Sequence, residues 1–201
     1  MNFLAHLLLA GDDEGLRLGA LFGDFVRGRA ALAAFSPSVQ TGILLHRHID
    51  AYADSLPEIA ELRAWFPTEF RRYGGIVIDL AFDHQLALNW GERGQLSLAA
   101  FDAGVREMLA RHENEVPSGL KRFMDYADRR GLFATYRKKS EVLHSLSGIG
   151  TRLSRPNPLH RVGDIWEPFE RRVSLCFDPV FDRVQSEVAA WLNSKSTTTG
   201  S

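Results

Sequence analysis

The sequence is poor in sulfur, in lysine and in net charge. Cys176 is its single cysteine in 201 residues. No disulfide can therefore close within the chain, and between Ser174-Leu175 and Phe177 the thiol reads as core. Lys and Arg number 24 against 25 Asp and Glu, a formal net charge of -1. So even a balance excludes the global field that draws basic proteins to nucleic acid or anionic membranes. No apolar run reaches the ~18 residues of a spanning helix. The apolar start, residues 3–10, has no basic region before it and is interrupted by His6. It leads into Gly11-Asp12-Asp13-Glu14 rather than a small-residue cleavage site, so it is not read as a signal peptide. The expectation is a cytoplasmic protein without nucleic-acid or membrane partners. Alternating β-branched runs, fixed-period repeats, Gly-rich phosphate loops, G-x-S-x-G elbows and H-E-x-x-H pairs are all missing.

What the sequence does have is helical periodicity almost throughout. With 45% hydrophobic residues, one domain of this length hides roughly 70% of its unfolded surface and needs no staples. Helices are predicted over residues 2–10, 15–28, 37–53, 57–66, 68–91, 97–116, 118–130, 140–153 and 159–192. Asp12 or Asp13 caps the second, and Ser36-Pro37 opens the third. The fifth is expected to kink at Gly74-Gly75, and the last to kink or break at Trp166-Glu167-Pro168 and Asp178-Pro179. The fold class is all-α, a single-domain bundle of about eight to ten helices over residues 1–193, with a disordered polar tail at 194–201. Function in such a bundle sits between helices.

Polar residues in apolar surroundings mark where. On the third helix, Val39, Ile43, Ile49 and Ala53 form one stripe at 100° per residue, and His46 and Asp50 fall inside it, while His48 points away. Residues 76–88 of the fifth helix are apolar nearly all round, yet carry Asp79 and Asp83 one turn apart, followed by His84. Two carboxylates at that spacing repel, and a divalent cation reverses the sign of the interaction; oxygen and imidazole ligands suit manganese, magnesium, iron or zinc. Asp24 lies between Gly23 and Gly28, and glycines admit a close backbone or ligand. His6 interrupts the first apolar run. Competing readings stay open: His6 as a core histidine, Asp24 as a cap or a partner of Arg27, His46 and Asp50 as an intrahelical bond, Asp79 as a partner of Arg71 or Arg72. Of the 24 cationic residues only four are lysine. Arginine forks suit phosphate and carboxylate, although genomic base composition also explains the bias. Metal-assisted hydrolysis is the chemistry that these types support best.

Several blocks carry a family resemblance. Met1-Asn2-Phe3-Leu4-Ala5-His6-Leu7, Gly23-Asp24-Phe25-Val26-Arg27-Gly28, and Gly42-Ile43-Leu44-Leu45-His46-Arg47-His48-Ile49-Asp50 resemble acyl carrier protein phosphodiesterases. So do Trp65-Phe66, Arg71-Arg72 and Asp79-Leu80-Ala81-Phe82-Asp83-His84-Gln85-Leu86, in order. The family often has Thr-Asp at Ala53-Asp54 and an aromatic at Gln85. The resemblance implies an HD-like, metal-dependent hydrolase that removes 4'-phosphopantetheine from holo-acyl carrier protein by attack of metal-activated water on phosphorus. It implies manganese as the preferred metal, with magnesium or iron as alternatives. The metal set it suggests is His46, Asp50, Asp79, Asp83 and His84. Asp24, His6, Asp83 and Arg27 are the implied catalytic groups, and Arg27, Arg47, Arg71 and Arg72 the groups that meet the substrate. Two rival readings stand beside it. One is a phosphohydrolase for a nucleotide or small phosphodiester, and the other a non-catalytic helical binding module whose buried acids form ion pairs.

Overall fold

The computed structural model describes residues 1–121 and 133–198, with side chains as far as 195. It is all-α, and no strand occurs among the described residues. The α-helices are α1 (Phe3–Leu9), α2 (Glu14–Phe22), α3 (Pro37–Ser55), α4 (Pro57–Trp65), α5 (Gly74–Leu88), α6 (Trp90–Arg93), α7 (Leu98–Arg111), α8 (Lys139–Arg152) and α9 (Trp166–Thr198). Short 3-10 segments cover Ala30–Ala34, Arg71–Tyr73, Phe133–Arg137 and Leu159–Asp164. Of the helix expected over 118–130, residues 118–121 are helical and 122–130 lie outside the described residues.

The starts follow local chemistry. Asp13 caps α2 by accepting from the Leu16 N–H at 2.8 Å, and Ser97 caps α7 through Ala100. Pro37 occupies the first turn of α3, where its missing N–H costs nothing. Several boundaries differ from expectation. α2 ends at Phe22 rather than near Gly28, because the chain turns at Gly23 and again at Gly28, whose φ is +79°. At the Gly74-Gly75 position the chain does not kink within one helix; it changes from a 3-10 turn to α5. The last helix continues unbroken through Pro179, which is exposed: the carbonyl deprived of a donor, that of Leu175, lies on the solvent face, and Leu175 is itself 82% exposed. α9 also extends into the polar tail as far as Thr198, with the Ser194 hydroxyl donating to the Trp191 carbonyl and Lys195 over the Trp191 ring.

α5 is the central helix. Val77, Ile78, Leu80, Ala81, Phe82, Leu86 and Ala87 are all buried, and α1, α4, α8 and α9 pack around it. Phe66, Phe169, Phe177 and Phe181 fill the space between α4, α5 and α9. The tightest crossing is that of α2 on α3. A Cβ at Gly19 would sit 2.6 Å from the Cα of Gly42 and collide with the Val39 carbonyl; one at Gly42 would strike the Leu16 carbonyl. The two backbones touch, and nothing between them can yield. Gly19→Ala is therefore expected to lower stability by about 1–3 kcal/mol through overpacking, read as a shift of the urea midpoint with an unchanged slope.

Candidate active site

The close crossing determines the site. Because α2 lies against α3, the Ala20 carbonyl reaches the Nδ1 of His46 at 2.8 Å. A carbonyl only accepts, so Nδ1 carries the proton and Nε2 is the atom presented to the site. Gly23 gives the ring its room, since a Cβ there would overlap the imidazole. Past Gly23 the chain leaves the helix, which brings Asp24 over His46: its Oδ1 lies 3.3 Å from Nε2. Asp50, one turn along α3, brings Oδ2 to 3.2 Å from the same nitrogen. His6 from α1 stacks on His46 with ring centroids 3.9 Å apart and 15° between planes. Its Nε2 lies 3.1 Å from both Asp50 Oδ1 and the Met1 carbonyl. The α-amino group of Met1 completes the cluster, donating to Asp79 Oδ1 at 2.9 Å and to Asp50 Oδ1 at 3.4 Å.

The electrostatics follow from this geometry. Burial works against a charged His46, but the hydrogen bonds and charges of Asp24 and Asp50 outweigh it and carry the imidazole up to about 9. Burial also opposes ionisation of Asp50, yet the bonds from His46 and His6 hold its carboxyl far below the usual range. His6 is shifted down, first by burial and then by the positive charge of His46. The amine of Met1 loses hydration through burial, and Asp79 and Asp50 more than restore it, raising it to about 10. The bond from His46 holds Asp24 below the ordinary carboxylate value.

The structure thus brings together His6, Asp24, His46, Asp50 and Asp79. Ligand atoms of His6, His46 and Asp50 lie within 4.8 Å of one another, close enough for one ion. Two residues expected in the metal set are elsewhere. Asp83 is wholly buried beneath the start of α1, where its two oxygens accept from Leu4 N–H at 2.9 Å and Ala5 N–H at 3.1 Å. Burial raises its carboxyl to about 7, against the pull of those two bonds. His84 faces the opposite way, against the Tyr136 carbonyl and 3.0 Å from Glu170 Oε1. The reason is the helix itself: on a rod buried all round, successive residues are 100° apart and meet different neighbours. Among the arginines, Arg47 donates to the Val26 carbonyl and Arg71 to the Phe66 carbonyl, so both hold backbone, while Arg27 and Arg72 face solvent. His48 pairs with Glu187, outside the site as expected. The Ala20 carbonyl and the Met1 amine were missed because backbone groups leave no mark in a pattern of residue types.

A cleft of about 600 Å3 opens beside the cluster, with Asp24 and Asp79 among its lining groups. Fold and site together define an all-α protein whose imidazoles and carboxylates converge, in metal-ligand proportions, at the edge of a cleft. The family model described as acyl carrier protein phosphodiesterase matches residues 1–184. A relative from Serratia proteamaculans (strain 568), named acyl carrier protein phosphodiesterase, is 34% identical over 156 residues, covering 77% of this chain and 80% of its own. One of the same name from Escherichia coli O139:H28 is 35% identical over 167 residues, covering 83% and 84%. No solved structure matches. The chain belongs to the acyl carrier protein phosphodiesterase family.

Two outcomes test the geometry. His46 binds its proton more tightly folded than unfolded, so the stability it contributes is complete below pH 6.5 and is lost as pH rises through about 9. The Met1 amine acts likewise between pH 8.0 and about 10. In chelator-treated protein, His46→Gln should reduce the fall in melting temperature between pH 6.5 and about 9 and leave the fall from there to about pH 10, which belongs to the Met1 amine. Asp83→Ala strands two buried N–H groups and should cost about 1–3 kcal/mol in urea unfolding.

Proposed function

We propose that this chain hydrolyses holo-acyl carrier protein to apo-acyl carrier protein and 4'-phosphopantetheine with the help of a divalent metal. The observation that carries the reading is the orientation of His46: a backbone carbonyl takes the Nδ1 proton, and Nε2 faces two carboxylates at the mouth of a cleft. That is how a protein presents an imidazole to a metal. The donor set fits a borderline-to-hard cation, one or two imidazoles with one or more carboxylates, and manganese is the metal taken in this reading, magnesium or iron being the alternatives. His46 and Asp50 would hold it, with Asp24, Asp79 and His6 as the nearest further groups. An ion bound there lowers the pKa of water and neutralises charge on a phosphoryl oxygen. The local field already favours a cation, since the Met1 ammonium sits between Asp50 and Asp79.

The residues then divide the work. Asp24, exposed over His46, is placed to take a proton from the attacking water. The new bond forms between that water's oxygen and phosphorus, and the bond from phosphorus to the carrier's serine oxygen breaks. The departing serine oxygen recovers a proton through Asp24, which holds the one taken from water, while His6, neutral and bonded through Nε2 to Asp50, orients that carboxylate. Arg27, three residues after Asp24 and exposed, offers its guanidinium to phosphoryl charge, and Arg72 belongs to the surface that an acidic carrier meets. Asp83 serves the site indirectly by anchoring α1 and hence His6. The kinship to HD-type phosphohydrolases and a cytoplasmic location are part of the same proposal.

Intact mass spectrometry provides the test. Incubated with manganese and the chain, holo-acyl carrier protein should lose the mass of its arm. Asp24→Ala and Asp50→Ala should each slow this at least ~100-fold, since each removes a group on or next to the ion; Asp24→Ala should keep its melting curve, and Asp50→Ala should melt lower because His46 and the Met1 amine lose their shared partner. An unchanged carrier mass, together with turnover of a small diester, would favour the rival phosphohydrolase. Absence of both activities and of bound metal by elemental analysis would favour a binding module.

A further inference from the structure

The cleft beside the cluster has walls that the chemistry at phosphorus does not use. Phe3 and Phe25 form one side, their rings 6.3 Å apart and 16° from parallel. Phe25 lies flat because Gly119 is beneath it, where a Cβ would come within 2.6 Å of the ring. Leu80 lines the cleft from α5, one residue after Asp79. The opposite side is a single face of α8, where Ser145 and Ile149 stand one turn apart, with Arg152 continuing the same face. The lining is chiefly apolar, with a few hydrogen-bonding groups among it, Asn2 and Ser145 included. At about 600 Å3 the space lies within the ~300–1,000 Å3 of small-molecule sites and far exceeds a phosphate.

We infer that this cleft seats the arm of the carrier protein, and that Ser145 and Ile149 on α8 set which arms it accepts. The inference rests on the phosphodiesterase reading above. Continuity singles out the occupant. A phosphodiester held beside Asp24 and Asp79 has its organic chain directed into a space those same residues border. The chain attached there is branched aliphatic next to the phosphate and carries amides beyond it. A slot with apolar walls and scattered hydroxyl and amide groups matches that alternation: the branched carbons pack on Phe3, Phe25 and Ile149, and the amides bond to groups such as Asn2 and Ser145. Ser145 and Ile149 touch neither the imidazoles nor the carboxylates, so they act on binding of the arm and not on the chemical step.

Filling the cleft from α8 tests this. Ile149→Trp should raise KM for holo-acyl carrier protein about tenfold while kcat and manganese stoichiometry hold, the pattern of lost uniform binding. Free 4'-phosphopantetheine should inhibit the wild-type chain, and should inhibit the variant about tenfold more weakly. Wild-type KM and inhibition in a variant with a wild-type melting temperature would overturn the inference. Should Ile149→Trp melt early, Ser145→Phe, which fills the same face from a half-buried position, is judged by the same two constants. A wild-type chain that releases no arm at all would instead refute the phosphodiesterase reading, and a nucleotide competing for the cleft in that chain would identify the other class of occupant.

Discussion

The site depends on one hydrogen bond, from His46 Nδ1 to the carbonyl of Ala20. It crosses from one helix to another, and it exists because Gly19 and Gly42 let α2 and α3 meet backbone to backbone. Without that approach the carbonyl would be out of reach, the imidazole would be free to present either nitrogen, and Nε2 would have no fixed direction. With it, a buried ring points Nε2 between Asp24 and Asp50. Gly23 acts a step later by clearing the space the ring occupies.

A second constraint is the surplus of negative charge. Asp24, Asp50 and Asp79 converge at the edge of the cleft, each partly open to solvent, and positive charge among them relieves their mutual repulsion. In the structure that charge is divided between the His46 imidazolium and the Met1 ammonium. His6, stacked on His46, is kept neutral by burial and by its neighbour's charge. The ligand atoms of His6, His46 and Asp50 in this cluster lie close enough together to be compatible with one divalent ion. Asp83 is the contrast: it is deeper, bonded to two backbone N–H groups, and its work is to hold α1 in place.

The division of labour along α5 explains what could be read in advance and what could not. That the helix is central was legible from its unbroken apolar surface, and that polar residues on it matter was legible from their cost. Asp79 and Asp83 share a face by spacing, yet one meets the Met1 amine while the other lies under the first turn of α1, a difference set by where α1 begins rather than by periodicity. His84 was drawn into the same set by adjacency in sequence, but adjacency on a helix means a 100° turn, and the residue faces Tyr136 and Glu170.

By itself, then, the order of residues determined an all-α chain, a cap for α2 at Asp12 or Asp13, the entry of α3 at Pro37, and the pairing of His46 with Asp50 across one turn. These are local matters, ruled by backbone sterics and by a period of 3.6. Only the tertiary structure decided that Asp24 leaves its helix to reach His46, that α1 delivers His6 onto the same ring, and that α8 closes a cleft beside them. Those outcomes depend on how closely helices distant in sequence can approach, and that distance is governed by packing against partners that no single segment contains.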